Sequence, residues 1–370
     1  MSGRGFTIRG LSLRSVVVPM ARPLVTRVVT IEKAAFVLID LETEEGVTGR
    51  SYLFGYSKAG NDCILPPLGW LSDAMKGEKV TPDAPPDQLF DKARKALTLM
   101  GHEGIAMMAV SGFDMACWDA YAQAQGQPLV EALGGKAATV PAYNSCGLGI
   151  IEAQAAAEEA KKLLAEGGYG AVKVRLGRET LDEDLAVLGA VRDAVGPDVI
   201  LPVDFNQCLS VDDAIERGRA LDQENVYWIE EPTRYDDWQG NARIAAAVET
   251  PIQNGENFYG PEGAARAIEA KALDYLMPDV ERIGGVTGWM RAAKIAEEAK
   301  IPVSSHLFPE FSSHLLAATP TAHWLEFTDW SAPLLENPVT VTDGHVHVSD
   351  APGAGIAWNE GAVEKYSVAI

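Results

Sequence analysis

Ile200-Leu-Pro-Val-Asp204, Tyr227-Trp-Ile-Glu230 and Pro251-Ile-Gln-Asn-Gly-Glu256 are three short apolar runs, each closing on a carboxylate. A run of four to six apolar residues that stops at a polar group suits a strand buried on both faces. Working outward, the same unit recurs as Val140–Ser145, Ala171–Leu176, Tyr275–Pro278, Val303–His306 and Trp324–Glu326. Segments with helical periodicity lie between them, among them Glu152–Ala165, Leu181–Val195, Val211–Leu221, Glu262–Ala270 and Gly288–Ala299. Strand–helix repetition predicts a parallel sheet, and eight such strands favour a closed barrel over an open doubly wound sheet. No GxGxxG follows the first strand, so a dinucleotide fold is not expected.

The flanks read differently. Phe6–Val18, Phe36–Glu42 and Val47–Leu53 are strand-like, with a turn at Glu44-Glu45-Gly46 joining the last two. The helical patterns Asp87–Leu97 and Gly104–Ala124 follow, and Gly134-Gly135 punctuates the end. Residues 1–135 are therefore expected to form an α+β domain, 136–333 the barrel, and 334–370 a tail returning to the first domain.

Composition narrows the function. The 370 residues are 47% hydrophobic and carry a formal charge of −21. So acidic a chain repels nucleic acid and anionic membranes, and neither is expected as a partner. Cys63, Cys117, Cys146 and Cys208 show no CxxC spacing, which argues against zinc or a redox pair. Neither a signal-like apolar stretch nor a membrane span is apparent, so a cytoplasmic protein is expected.

In a parallel barrel the carboxyl ends of the strands converge on one mouth, where catalytic groups gather. Here those ends carry Lys173 and Arg175, then Asp204, Glu230, Glu256, Asp279, His306 and Glu326, with successive strand ends 20 to 31 residues apart. Any one of these acids could be a cap or an ion-pair partner, but the series points to a site. Asp204, Glu230 and Glu256 lie on consecutive strands, and three clustered carboxylates repel unless a cation neutralises them. All-oxygen donors favour a hard ion, so Mg²⁺ is the expected cofactor. Asp279 can hold one nitrogen of His306 and make the other a proton acceptor. Lys173 and Arg175 could bind a substrate carboxylate, or simply balance the acids.

The chain resembles the enolase superfamily, specifically its mandelate racemase subgroup. The similarity is carried by Val37-Leu-Ile-Asp-Leu41, Ser51-Tyr-Leu-Phe54, Asp204-Phe-Asn-Gln207, Trp228-Ile-Glu-Glu-Pro232 and Asn254-Gly-Glu-Asn257. Further carriers are Pro278-Asp279, Ile283-Gly-Gly-Val-Thr-Gly-Trp289, Ser304-Ser-His-Leu-Phe308 and the segment Leu315–Glu326. The resemblance implies an α/β fold, a modified (β/α)₇β TIM-type barrel under an N-terminal α+β capping domain. It implies Mg²⁺ on Asp204, Glu230 and Glu256, and a His306–Asp279 base. Glu326 and Lys173 would act on the substrate carboxylate, and Ser145, Asn206 and Tyr56 would contact substrate beneath an apolar lid at Leu24–Ile31. Assembly into a homo-oligomer is also implied.

Two positions depart from the subgroup. Its Lys-x-Lys reads Lys173-Val-Arg175 here, and Cys146 stands where a histidine follows the matching serine. A guanidinium is effectively always charged and makes a poor base. Three functions stay open: racemisation of a 2-hydroxycarboxylate, dehydration of a sugar acid by His306 alone, and a metal- or ligand-binding scaffold without turnover.

Overall fold

The computed structural model describes residues 5–370. Its first layer is an antiparallel sheet of β1 (Phe6–Val25), β2 (Thr30–Thr43), β3 (Thr48–Phe54) and β4 (Lys79–Val80), in the order β3-β2-β1-β4. Helices α1 (Lys58–Met75), α2 (Asp87–Ala96) and α3 (Ile105–Gln125) pack with this sheet, and the single turn α4 (Leu129–Ala132) leads out. Both β1 and β2 run longer than their apolar patterns. Their pairing continues past a register break between Pro19 and Leu24 to Leu24↔Ile31 and Val25↔Thr30, so the expected lid segment is the tip of a long ribbon. Helix α1 escaped the periodicity reading because Pro66 and Pro67 interrupt it; its start is capped by Ser57, whose hydroxyl accepts from Gly60 N.

The barrel strands are β5 (Thr139–Asn144), β6 (Val174–Arg175), β7 (Val203–Asp204), β8 (Ile229–Glu230), β9 (Ile252–Asn254), β10 (Tyr275–Leu276) and β11 (Leu325–Phe327). Parallel ladders join β6 through β10 in sequence and β11 to β5. The remaining gaps close through the bridges Asn144↔Val172, Leu276↔Val303 and Val303↔Ala322. The seventh predicted strand, Val303–His306, is held by isolated bridges alone. Outside the ring run α5 (Ala153–Gly167), α6 (Leu181–Val195), α7 (Val211–Leu221), α8 (Trp238–Ala245), α9 (Pro261–Ala270), α10 (Gly285–Ala299) and α11 (Pro309–Ala317). The expected fold class is therefore the one observed.

Helix α3 is buried on nearly every face and lies between the capping sheet and α10, as an all-round apolar helix must. Its Asp114 reaches the start of α10, accepting from Thr287 N at 2.8 Å and Thr287 Oγ1 at 2.7 Å. That approach requires Gly285: its φ is 67°, and a Cβ there would stand 2.6 Å from the Asp114 carboxylate. The tail forms β12 (Val341–Thr342) and β13 (His345–His347), which pairs with β5, then α12 (Glu360–Tyr366), after which Val368 N bonds Ser15 O on β1. Among the described residues no helix is long and apolar enough to cross a membrane.

Candidate active site

At the mouth, adjacent strands put Arg175, Asp204, Glu230 and Gln253 in one register row. Lys173 projects beneath them, 1% exposed, with Nζ 2.6 Å from Glu230, 2.7 Å from Glu326 and 3.2 Å from Asp204. Burial alone would discharge this ammonium, but Glu230, Glu326 and Asp204 together outweigh it and raise its pKa. Glu326 is the converse case: burial opposes ionisation, yet Lys173 and then His306 pull it down to about 2.

His306 Nδ1 lies 2.6 Å from Asp279 Oδ2, which fixes the ring and leaves Nε2 between Glu256 at 3.4 Å and Glu326 at 3.9 Å. Desolvation would lower the imidazole, but Glu256, Glu326 and the Asp279 hydrogen bond win and lift it to about 10.

These groups surround a cavity of about 180 Å³ roofed by the ribbon tip. Leu24, Val28, Val29, Ile31, Phe54 and Trp330 make its apolar side, while Asp204, Asn206, Glu256, His306, Glu326 and Tyr56 are among its polar lining. A more open groove of about 390 Å³ lies elsewhere, beside Ile151 and Arg178. Its Arg178 donates to the Ile151 carbonyl and its Glu183 caps α6, while Arg27, Glu152 and Glu179 are exposed, so it holds no buried charged cluster like that at the mouth.

Not every expected site residue reaches the cavity. Glu230 lies under the floor, its oxygens taken by Lys173, by Trp228 Nε1 at 3.0 Å and by Gln253 Nε2 at 3.1 Å. Burial, then the neighbouring acids, raise its pKa to about 8 against the pull of Lys173. Ser145 stands behind Arg175, whose Nη2 donates to its hydroxyl at 3.2 Å while Nη1 donates to Gly147 O at 2.7 Å. Asp279 is covered by His306. Tyr56 and Asn206 do line the cavity.

Arg282 and Trp330 also line the cavity without any signal in the sequence, and Glu231 and Asn257 line it from motifs in which no role is assigned to them. Glu231 had a signal, being the second acid of Glu230-Glu231-Pro232; it turns inward through a left-handed backbone, φ 42°. Of eleven non-glycine residues with positive φ among those described, five line this cavity: Tyr56, Asn206, Gln207, Glu231 and Leu307. Backbone strain of that kind concentrates at functional sites.

Among the described residues no three Asp, Glu, His or Cys side chains are drawn tightly enough together to enclose a cation as they stand. The donor chemistry nonetheless fits one. With the Asp279–His306 pair set aside, five buried carboxyl groups (Asp204, Glu230, Glu231, Glu256, Glu326) face three cations (Lys173, Arg175, Arg282). Asn206 Oδ1 is also a buried acceptor without a donor. Both features suit an added hard cation with oxygen ligands.

Comparison with known proteins agrees with this geometry. Residues 8–134 match the model of the mandelate racemase / muconate lactonizing enzyme N-terminal domain, and residues 155–362 match the enolase C-terminal domain-like model. The chain is 31% identical to the L-talarate/galactarate dehydratase of Salmonella typhimurium, covering 97% of this chain and 90% of the relative. Among solved structures, an enolase from alpha proteobacterium BAL199 with bound magnesium is 43% identical, with a TM-score of 0.95 over 98% of this chain and all of that one. A Bradyrhizobium enolase complexed with magnesium and mandelic acid is 40% identical, with a TM-score of 0.93 over 99% of each. With the matched models spanning both layers of the fold, the chain belongs to the mandelate racemase / muconate lactonizing enzyme family of the enolase superfamily.

Proposed function

We propose that this enzyme removes the proton alpha to a carboxylate with His306 as its only base and then expels a β-hydroxyl, a dehydration of a 2,3-dihydroxycarboxylate. One observation carries the choice: Arg175, on the side where a second base would stand, is tied to Gly147 O and Ser145 Oγ as a cation. The dehydratase relative at 31% identity supports the same reading.

Asp204 and Glu256, which line the cavity, would hold Mg²⁺, with Glu230 as third ligand once an oxygen now bonded to Lys173 is given over to the ion. When bound, the ion supplies positive charge that stabilises the enediolate and offsets the pull of Glu256 on His306. Lys173 binds the substrate carboxylate and takes up charge as it develops, and Glu326 joins it as a hydrogen-bond donor once the substrate's own charge, and its claim on Lys173, return a proton to that carboxyl. Asp279 keeps His306 Nδ1 protonated, so that Nε2 faces the cavity and accepts the C2 proton. The C2 electron pair forms the enediolate, then the C2–C3 double bond as the C3–OH bond breaks. The proton on His306 leaves with that hydroxyl as water, and the enol product tautomerises to a 2-keto-3-deoxy acid. The ribbon tip and Trp330 close the cavity over these steps and exclude bulk water.

Racemisation stays a second reading, because the apolar roof resembles a wall for a hydrophobic hydroxy acid and the Bradyrhizobium relative holds mandelic acid. Incubation with Mg²⁺ and a panel of hydroxy acids in D₂O separates them. Release of a 2-keto acid is expected. Deuterium at C2 of both enantiomers of one acid, with no keto acid formed, would replace the dehydratase reading by the racemase.

A further inference from the structure

Three positions after Asp279, Arg282 leaves the barrel mouth and reaches the capping domain. It is 7% exposed, and its guanidinium joins two bodies. On the barrel side Nη1 donates to Glu256 O at 3.2 Å and to Asn257 Oδ1; on the lid side Nη2 donates to the Tyr56 hydroxyl, with the cation 5.4 Å from the Tyr56 ring centre. Asn257, so oriented, turns its amide nitrogen to Glu231 at 2.7 Å and to Glu256 at 3.3 Å. The adjacent Glu281 carboxylate accepts from Phe54 N on the same capping segment.

Arginine suits this place because its planar fork serves several acceptors at fixed angles, where a lysine ammonium reaches fewer. Resting on the proposed function, we propose that Arg282 is a positioning residue that orients the Glu256 carboxylate for the metal through Asn257 and, with the same guanidinium, seats Tyr56 in the cavity roof. Arg282 touches no reacting atom. Its two sides act on different quantities: the barrel side on metal affinity, the lid side on substrate binding.

The test is calorimetric titration of Mg²⁺ into the full chain together with kcat and KM, for wild type, R282M, R282K and Y56F, each checked by circular dichroism and melting. Expected for R282M is Mg²⁺ affinity lowered about 10- to 100-fold, the usual effect of losing a group that orients a ligand. R282K should fall between it and wild type. Y56F should keep wild-type Mg²⁺ affinity and raise KM more than it lowers kcat. A folded R282M that binds Mg²⁺ like wild type overturns the inference; so does wild-type affinity in R282K if R282M does not fold. Loss of Mg²⁺ affinity in Y56F equal to that in R282M would overturn the division of labour. Wild type failing to bind Mg²⁺ would instead remove the proposed function itself, and this inference with it.

Discussion

Replacing Lys173 by Met tests the electrostatic balance of the floor. The ammonium is 1% exposed and lies within 3.2 Å of three carboxylates, so methionine keeps the stem and packing but leaves those acids without their cation. Removing one partner of a buried ion pair costs about 3–5 kcal/mol, because the remaining charge is uncompensated. The loss falls chiefly on Asp204 and Glu326, since burial already favours the protonated form of Glu230. Urea unfolding of K173M in EDTA is therefore expected to show a deficit of about 3–5 kcal/mol against wild type. Mg²⁺ should narrow that deficit, since a ligand at ~100 times its Kd adds about 2.7 kcal/mol and the acids freed from Lys173 attract it more strongly. Equal stability of the two proteins in EDTA would refute the view that this ammonium balances the floor.

Two further outcomes follow from single residues. R175K places a group that can lose its proton where a charged guanidinium now stands, so C2 deuteration should appear on the opposite face of the substrate, read by NMR on resolved isomers. Exchange of both isomers by wild type would contradict a one-base site. Asp114 is pushed up to about 7 by burial, against hydrogen bonds from Thr287. Its folded-state value thus exceeds the ordinary 3.8, the folded protein holds the proton more tightly, and this contribution is full at low pH and lost as pH rises through about 7. The urea midpoint should fall between about pH 4 and pH 7, and D114N should flatten that part of the fall. A slope unchanged in D114N would assign the dependence to other buried acids, such as Asp119.

The barrel was readable because each βα unit repeats one grammar: an apolar strand, a polar residue at its mouth end, a periodic helix. Helices α6 and α7 match their predicted spans, Leu181–Val195 and Val211–Leu221. The ribbon tip was less legible, since Arg22, Pro23 and Arg27 break the apolar pattern and the pairing there is set by a register shift. Within the site, strand-end position identified which residues reach the mouth but not which layer they occupy. Glu230 shares the register row of Arg175 and Asp204, and Ser145 follows the end of β5, yet bonds to Lys173 and Arg175 keep both side chains out of the cavity lining. Glu231 enters only through a positive φ, and Arg282 through its reach to Tyr56; neither a backbone angle nor a contact between distant segments is written in local periodicity.

The most direct measurement is C2 hydrogen exchange in D₂O with Mg²⁺ and a turned-over acid, comparing wild type with H306N. Exchange in H306N is expected to fall about 10²- to 10⁴-fold, the usual share of a positioned general base, with Mg²⁺ binding retained. Exchange at the wild-type rate in a folded, Mg²⁺-binding H306N would show that the proton leaves to some other group.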